Sequence, residues 1–238
     1  KKIKKKKIID KNVKWINNFD NIKKGPVIFF GNEFFDAIPI KQFKKIKGSI
    51  FEKKYTFDKN CNVKEIFKIA SKNNIRNIKS FKILKKLNFI EFPKFGFQEL
   101  EKIIKKISKL NGCILIIDYG YLKPNNLDTL QSVMKHKKNK LLENLGKADV
   151  TAHVNFGLLK EFFLKKGLNV KDIIDQRQFL ESMGIIERAN IIAKKMKFSD
   201  KTDLFYRVKR LLSPNSMGNL FKVILAYKFN SNKFAGFK

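Results

Sequence analysis

Cysteine and histidine are scarce in this 238-residue chain, with two of each. Neither a disulfide framework nor a multi-cysteine zinc site can be built from Cys61 and Cys113, and His136 and His153 are too few to make a metal centre, so no metal is expected. Such sparing use of cysteine suits a reducing compartment. Arginine stands at only five positions (Arg76, Arg177, Arg188, Arg207, Arg210), although Lys+Arg number 53. Apolar runs are short: 27–30, 113–117 and 223–226 fall far below the roughly 20 residues a bilayer-spanning helix needs, so no membrane span is expected. No G-x-G-x-x-G or G-x-x-x-x-G-K loop occurs, and no Ser/His/Asp order suggests a hydrolase. The chain does not begin with Met. Six of its first seven residues are lysine, with no long apolar stretch behind them, so no secretory signal is visible and the N-terminus is expected to lie upstream.

What the chain has in excess is lysine, isoleucine, phenylalanine and asparagine, which together exceed half of its residues. These are the residues that AT-rich codons encode. A dedicated phosphate reader would keep arginine forks, so the formal charge of +32 is read as a drifted, solvated surface, and no specific nucleic acid is expected. The opposing reading is a basic protein that associates with RNA or DNA. Hydrophobic residues at 43% suffice for a core, and the length suits one large domain.

Strand-like and helix-like stretches alternate, as in an α/β sheet. Short strands are expected at 13–16 and, after Gly25-Pro26, at 27–31. Residues 44–47 and 50–57 flank Gly48-Ser49, which reads as a two-residue hairpin loop. Leu100, Ile103, Ile104 and Ile107 carry the spacing of one helix face over 97–110, closed by Asn111-Gly112. The run 113–117 is the clearest strand. Asn155 is placed to cap a helix through Lys166, with Gly167 as its stop. A strand at 170–174, a helix over 179–195 and a last strand at 220–229 follow.

In an open α/β sheet, ligands lie beyond the carboxyl ends of the strands. Two such ends carry unusual residues. Asn32, Glu33, Phe34, Phe35 and Asp36 bring an amide, two carboxylates and two rings together, able to hold a cation or a planar nitrogen group. Equally, Asn32 or Asp36 could cap the next helix while the rings fill the core. The second end, Asp118-Tyr119-Gly120, could be a plain strand-terminal turn. His136 and His153 stand in a long polar excursion, a position more often structural than functional for a lone histidine.

Residues 27–43, from Val27 through Asn32, Glu33 and Asp36 to Gln42 and Phe43, resemble the signature of the MidA-like S-adenosylmethionine-dependent methyltransferases, a family that includes a mitochondrial complex I assembly factor that methylates arginine. Further matches follow in order: Ile116 to Gly120; Asp128 to Gln131 with His136; Gly146 to Phe156; Gln176, Phe179 and Leu180 with Gly184-Ile185; Met217 to Val223; and Ala235 to Phe237. Asn155 departs from the usual Asp, and Ser49 from a frequent aromatic. The family's glycine-rich loop, and the acidic residue after its second strand, have no counterpart here.

The resemblance implies a Rossmann-like class I methyltransferase sheet of order 3-2-1-4-5-7-6. Here 13–16 would be strand three, 27–31 strand four and 113–117 strand five, with strands one and two missing. Residues 1–238 would then be the carboxyl-terminal part of one methyltransferase domain, with 44–110 inserted between strands four and five and 121–156 a substrate-side excursion. S-adenosyl-L-methionine is the implied cofactor. Asn32, Glu33 and Asp36 are the implied catalytic residues, and Asn32 and Glu33 also touch the cofactor. Phe34, Phe35, Asp118, Tyr119, Gly120, Thr129, Gln131, His136, Asp149 and His153 would bind the acceptor, a protein arginine, with a complex I subunit as the implied partner. A chain without the glycine loop is expected to be inactive alone, and a non-catalytic assembly or binding module, or a methyltransferase with another acceptor, is the alternative. Composition places it in a bacterial cytoplasm, with the mitochondrial matrix as the other choice.

Overall fold

The computed structural model describes residues 13–59, 62–123, 126–135, 137–231 and 233–237. The chain runs β1 (Ile28–Asn32), β2 (Lys41–Ile46), β3 (Ser49–Phe57), β4 (Val63–Ile69), α1 (Lys72–Ser80), β5 (Phe89–Phe92), α2 (Lys94–Leu110) and β6 (Cys113–Tyr121). It continues through β7 (Gln131–Met134), β8 (Lys137–Asn139), β9 (Asp149–Thr151), β10 (Val154–Asn155), α3 (Phe156–Lys165), β11 (Asn169–Val170) and β12 (Ile174–Asp175). Four helices and a strand complete it: α4 (Gln176–Ser182), α5 (Ile185–Ala193), α6 (Phe198–Leu212), α7 (Met217–Leu220) and β13 (Phe221–Tyr227).

The main sheet has the order β1-β6-β13-β11, with β10 also on β6 and β12 also on β13. β1 is parallel to β6, with Gly31 opposite Ile116, whereas β13 is antiparallel, with Val223 opposite Ile117. This is the 4-5-7-6 portion of the expected order; beyond β1 no strand pairs among the described residues. β6 reads as an unbroken apolar run because both faces are covered. On one face Ile114, Ile116, Ile224 and Ala226 pack against Leu100, Ile104, Phe162 and Phe163 of α2 and α3, where Phe97 stacks on Phe162 at 4.1 Å. On the other, Ile117 and Val223 pack with Phe179 and Phe221. Each Ile, Leu, Val or Phe among them contributes about 1.5–3 kcal/mol when fully buried.

A second, antiparallel sheet runs β4-β3-β2-β5, and a ribbon β8-β7-β9 stands apart from it. Its tight loop is Lys47-Gly48, since Ile46 pairs with Ser49. The expectation of Gly48-Ser49 is one residue out. Both loop residues have positive φ, 46° and 82°, so Gly48 fills the second position of a type I′ turn rather than the first of a type II′ turn.

Other expectations need correction. Residues 13–16 form no strand; Val13, Trp15 and Ile16 are exposed and no neighbouring strand offers a ladder. The strand at 170–174 is two dipeptides that pair with Ala226 and Val223 in turn. The helix over 179–195 starts at Gln176 and breaks at Gly184, whose φ of 78° ends one helix and begins the next. Leu220 belongs to α7. By contrast α2 ends on a left-handed Asn111, and the Asn155 side chain caps α3 by accepting from the Leu158 N–H, both as expected.

Candidate functional site

The site is assembled where β1 and β6 end side by side. The Glu33 N–H still donates to Ile117 O at 3.1 Å, extending the parallel ladder by one bond. Glu33 then turns left-handed, with φ of 46°, a conformation uncommon outside glycine, asparagine and aspartate, which throws the chain back over the strand ends. Asp118 holds that turn. Its Oδ2 accepts the N–H groups of Phe34 at 3.1 Å, Phe35 at 2.8 Å and Asp36 at 3.2 Å, while Oδ1 accepts that of Tyr119 at 2.9 Å. Asp118 is fully buried. Burial, and then the Asp36 charge, push its carboxyl up to about 6 against the pull of those N–H groups.

Neighbours on β6 point to opposite faces, so Tyr119 reaches the turn from the other side. Its hydroxyl donates to Asp36 Oδ2 at 2.5 Å. Burial, and next the bond to Asp36, raise the Tyr119 hydroxyl well above its ordinary range, so it stays a donor. Asp36 is itself buried, and its Oδ1 has no hydrogen-bond partner among the described residues. Its carbonyl accepts the Ala152 N–H at 2.9 Å, fastening the turn to the segment before β10. Asn32 and Glu33 stay exposed at the rim, joined by a long 3.5 Å contact. Phe34 is exposed and meets Phe35 edge-on. Gly120 permits the close pass of β10: a Cβ there would stand 2.0 Å from Val154 O.

The other wall carries Thr129 and His153. Thr129 Oγ1 donates to Glu91 Oε2 at 2.5 Å, its N–H donates to Glu91 Oε1 at 3.0 Å, and the same Oγ1 accepts the His153 N–H at 3.0 Å. The His153 ring packs edge-on against Tyr119, centroids 5.3 Å apart. Burial lowers its pKa against the opposing pull of Glu91, so the imidazole is neutral at pH 7. Gln131 reaches Thr151 at 3.4 Å. Asp149 lies further out on the ribbon, exposed and opposite Val133. His136 falls outside the described residues. Asn32, Glu33, Phe34, Phe35, Asp36, Asp118, Tyr119, Gly120, Thr129 and His153 therefore converge at one end of the sheet, while Gln131 and Asp149 follow along the ribbon. Among the described residues no group of three or more His, Cys, Asp or Glu could hold a metal ion.

Glu91 and Gln42 are the participants for which sequence reading gave no role. Gln42 Nε2 donates to Glu91 Oε1 at 2.9 Å and to Asp128 Oδ1 at 2.6 Å. The available signal was a carboxylate set between Ile90 and Phe92 in a strand buried at three of four positions.

Chemically, the arrangement offers a buried carboxylate with one oxygen engaged and one orphaned, a second carboxylate and an amide at the open rim, and an exposed ring beside them. That donor set suits a cation, whether a sulfonium or a guanidinium.

Residues 1–174 match the family described as "Putative S-adenosyl-L-methionine-dependent methyltransferase". The mitochondrial protein arginine methyltransferase NDUFAF7 of Danio rerio is 26% identical over 208 residues, covering 87% of this chain and 49% of the relative. The human counterpart is 26% identical over 210 residues, covering 88% and 47%. The Caenorhabditis elegans homolog is 29% identical over 180 residues, covering 74% and 42%. The chain thus spans about half the length of these curated relatives. A Burkholderia thailandensis protein crystallised with S-adenosyl-homocysteine shares the fold, with a TM-score of 0.77 at 21% identity over 94% of this chain and 58% of that one.

Proposed function

Because the chain belongs to this family of S-adenosyl-L-methionine-dependent methyltransferases, we propose that its site serves methyl transfer from S-adenosylmethionine to an arginine side chain of a protein. The observation that carries the reading is Asp36: a buried carboxylate with Oδ2 taken by Tyr119 and Oδ1 unpartnered, on a turn that Asp118 clamps to the strand ends. When bound, the cofactor supplies an electrophilic methyl carbon.

Displacement at that carbon needs an aligned nitrogen lone pair, which a protonated guanidinium lacks. Asp36 Oδ1 receives the guanidinium proton, and Glu33 balances the charge that remains. The Asn32 side-chain oxygen accepts an N–H and fixes the plane of the group. Tyr119 holds Asp36 in one rotamer, and neutral His153 walls the acceptor side. The stretch 44–110 and the excursion 121–156 shape that side. A respiratory complex I subunit is the acceptor protein we propose, in a bacterial cytoplasm or, as the alternative, a mitochondrial matrix.

The test is Asp36→Asn in the methyl-transferring form of the protein. Transfer to arginine falls a hundredfold or more, on the order expected for a lost general base, with S-adenosylmethionine affinity unchanged. Equal transfer by the variant overturns the assignment. A second reading, a non-catalytic assembly module, is favoured by the lack of any glycine-rich loop in these 238 residues. Calorimetric titration of S-adenosylmethionine against this chain tests the second reading, because tight binding removes it.

A further inference from the structure

Glu91 belongs to the second sheet, yet its carboxylate is spent on the excursion. It is buried, and its oxygens take both the N–H and the hydroxyl of Thr129. Gln42, on the neighbouring strand β2, holds Glu91 from the other side and ties Asp128 into the same set. From Thr129 the order passes outward: its Oγ1 accepts the His153 N–H, the His153 ring meets the Tyr119 ring, and the Tyr119 hydroxyl grips Asp36. Glu91 and His153 also line one small cavity of about 40 Å³, with Phe35, Tyr121 and Asn155, beneath the turn. On its outer side the same wall, made of Tyr121, Thr129 and His153, borders an open groove with Asp128 and Gln131.

We propose that Glu91 is the positioning residue of the acceptor side: acting through Thr129, it sets where His153 and Tyr119 stand and so which way Asp36 faces. This rests on the proposed function for its catalytic meaning, while the placement itself is independent of it. A buried carboxylate, together with the bonds that Gln42 and Lys53 of the same sheet make to Asp128, gives the 128–131 segment a fixed height above the strand ends. Both of its oxygens are satisfied, which is the condition under which a buried polar group orders its surroundings rather than loosening them. The groove side and the reacting side are two faces of one wall, so a change at Glu91 reaches the acceptor before it reaches the cofactor.

The test uses the whole chain, whose two histidines make the His153 ring resonance easy to assign against His136. In Glu91→Gln and in Thr129→Val the His153 ring signal moves and broadens, and the double variant moves it no further than either single change, because both cut one connection. Thr129→Ser, which keeps the hydroxyl, restores the native signal. In the methyl-transferring form, Glu91→Gln raises KM for the acceptor tenfold or so while KM for S-adenosylmethionine is unchanged, in keeping with small misplacements costing orders of magnitude. A native His153 signal in folded Glu91→Gln and Thr129→Val, or additive shifts in the double variant, overturns the proposal. Should the wild type transfer no methyl group, the proposed function fails but the His153 signals still decide the positioning.

Discussion

Asp118 Oδ2 accepts the Asp36 N–H at 3.2 Å, so the carboxylate of one strand end orients the backbone that carries the carboxylate of the other. Asp118 is thereby a brace under the site, with its own oxygens turned to four N–H groups rather than to the open rim.

Removing that brace is expected to be costly. Asp118→Ala leaves those N–H groups without their acceptor in a buried place, and unfolding in urea should show a loss of about 3 kcal/mol or more. Methyl transfer should be lost with it.

The raised carboxyl of Asp118, about 6 against an ordinary 3.8, gives stability a pH dependence of definite sign. Between those values the folded state keeps a proton that the unfolded chain has released, so stability falls as pH rises through the window. The contribution is complete below the ordinary value and gone above about 6, amounting to about 2–3 kcal/mol. Asp118→Asn does not titrate. Urea unfolding at several pH values should therefore show wild-type stability, relative to that variant, declining toward neutrality.

Tyr119→Phe takes away the one donor to the Asp36 side chain among the described residues. Both oxygens are then buried unpartnered, a cost of about 1–3 kcal/mol. Thermal unfolding should detect it, and methyl transfer should drop while cofactor affinity stays.

Gly120→Ala tests the close pass of β10, because the new Cβ would meet Val154 O at 2.0 Å. Backbone must move, at about 1–3 kcal/mol. Limited proteolysis should find new cleavage near Ala152 and His153, where the wild-type chain is protected.

Periodicity revealed the parts of the fold that depend on local burial. Leu100, Ile104 and Ile107 announced α2, Cys113 to Ile117 announced β6, and Asn155 announced the start of α3, because a stripe, an unbroken run and a cap each leave a mark within a few residues. In the second sheet the 44–57 hairpin was legible from its loop, whereas β4 and β5 escaped a similar reading. Strand β4 is exposed at six of seven positions, so lysines obscure the alternation that marks a half-buried strand. Helix α6 has no buried residue, although Leu204, Phe205, Val208, Leu211 and Leu212 keep the spacing of one helix face. The run 13–16 had strand-like residues and no partner.

For the site, the family resemblance implied that Asn32 to Asp36 and Asp118 to Gly120 end adjacent strands, and the residue types indicated cation chemistry. Which carboxylate braces the turn and which keeps an unpartnered oxygen was decided in three dimensions, by the pleat that turns Asp118 to one face of β6 and Tyr119 to the other. Glu91 shows the same division more sharply. Nothing within its own strand distinguishes its role, because its partners, Gln42 and Thr129, lie 49 and 38 residues away. Short-range patterns determine where strands, caps and turns begin, since those depend on neighbours along the chain. The duty of a buried charge depends on which donors reach it through space, and only the packed sheets settle that.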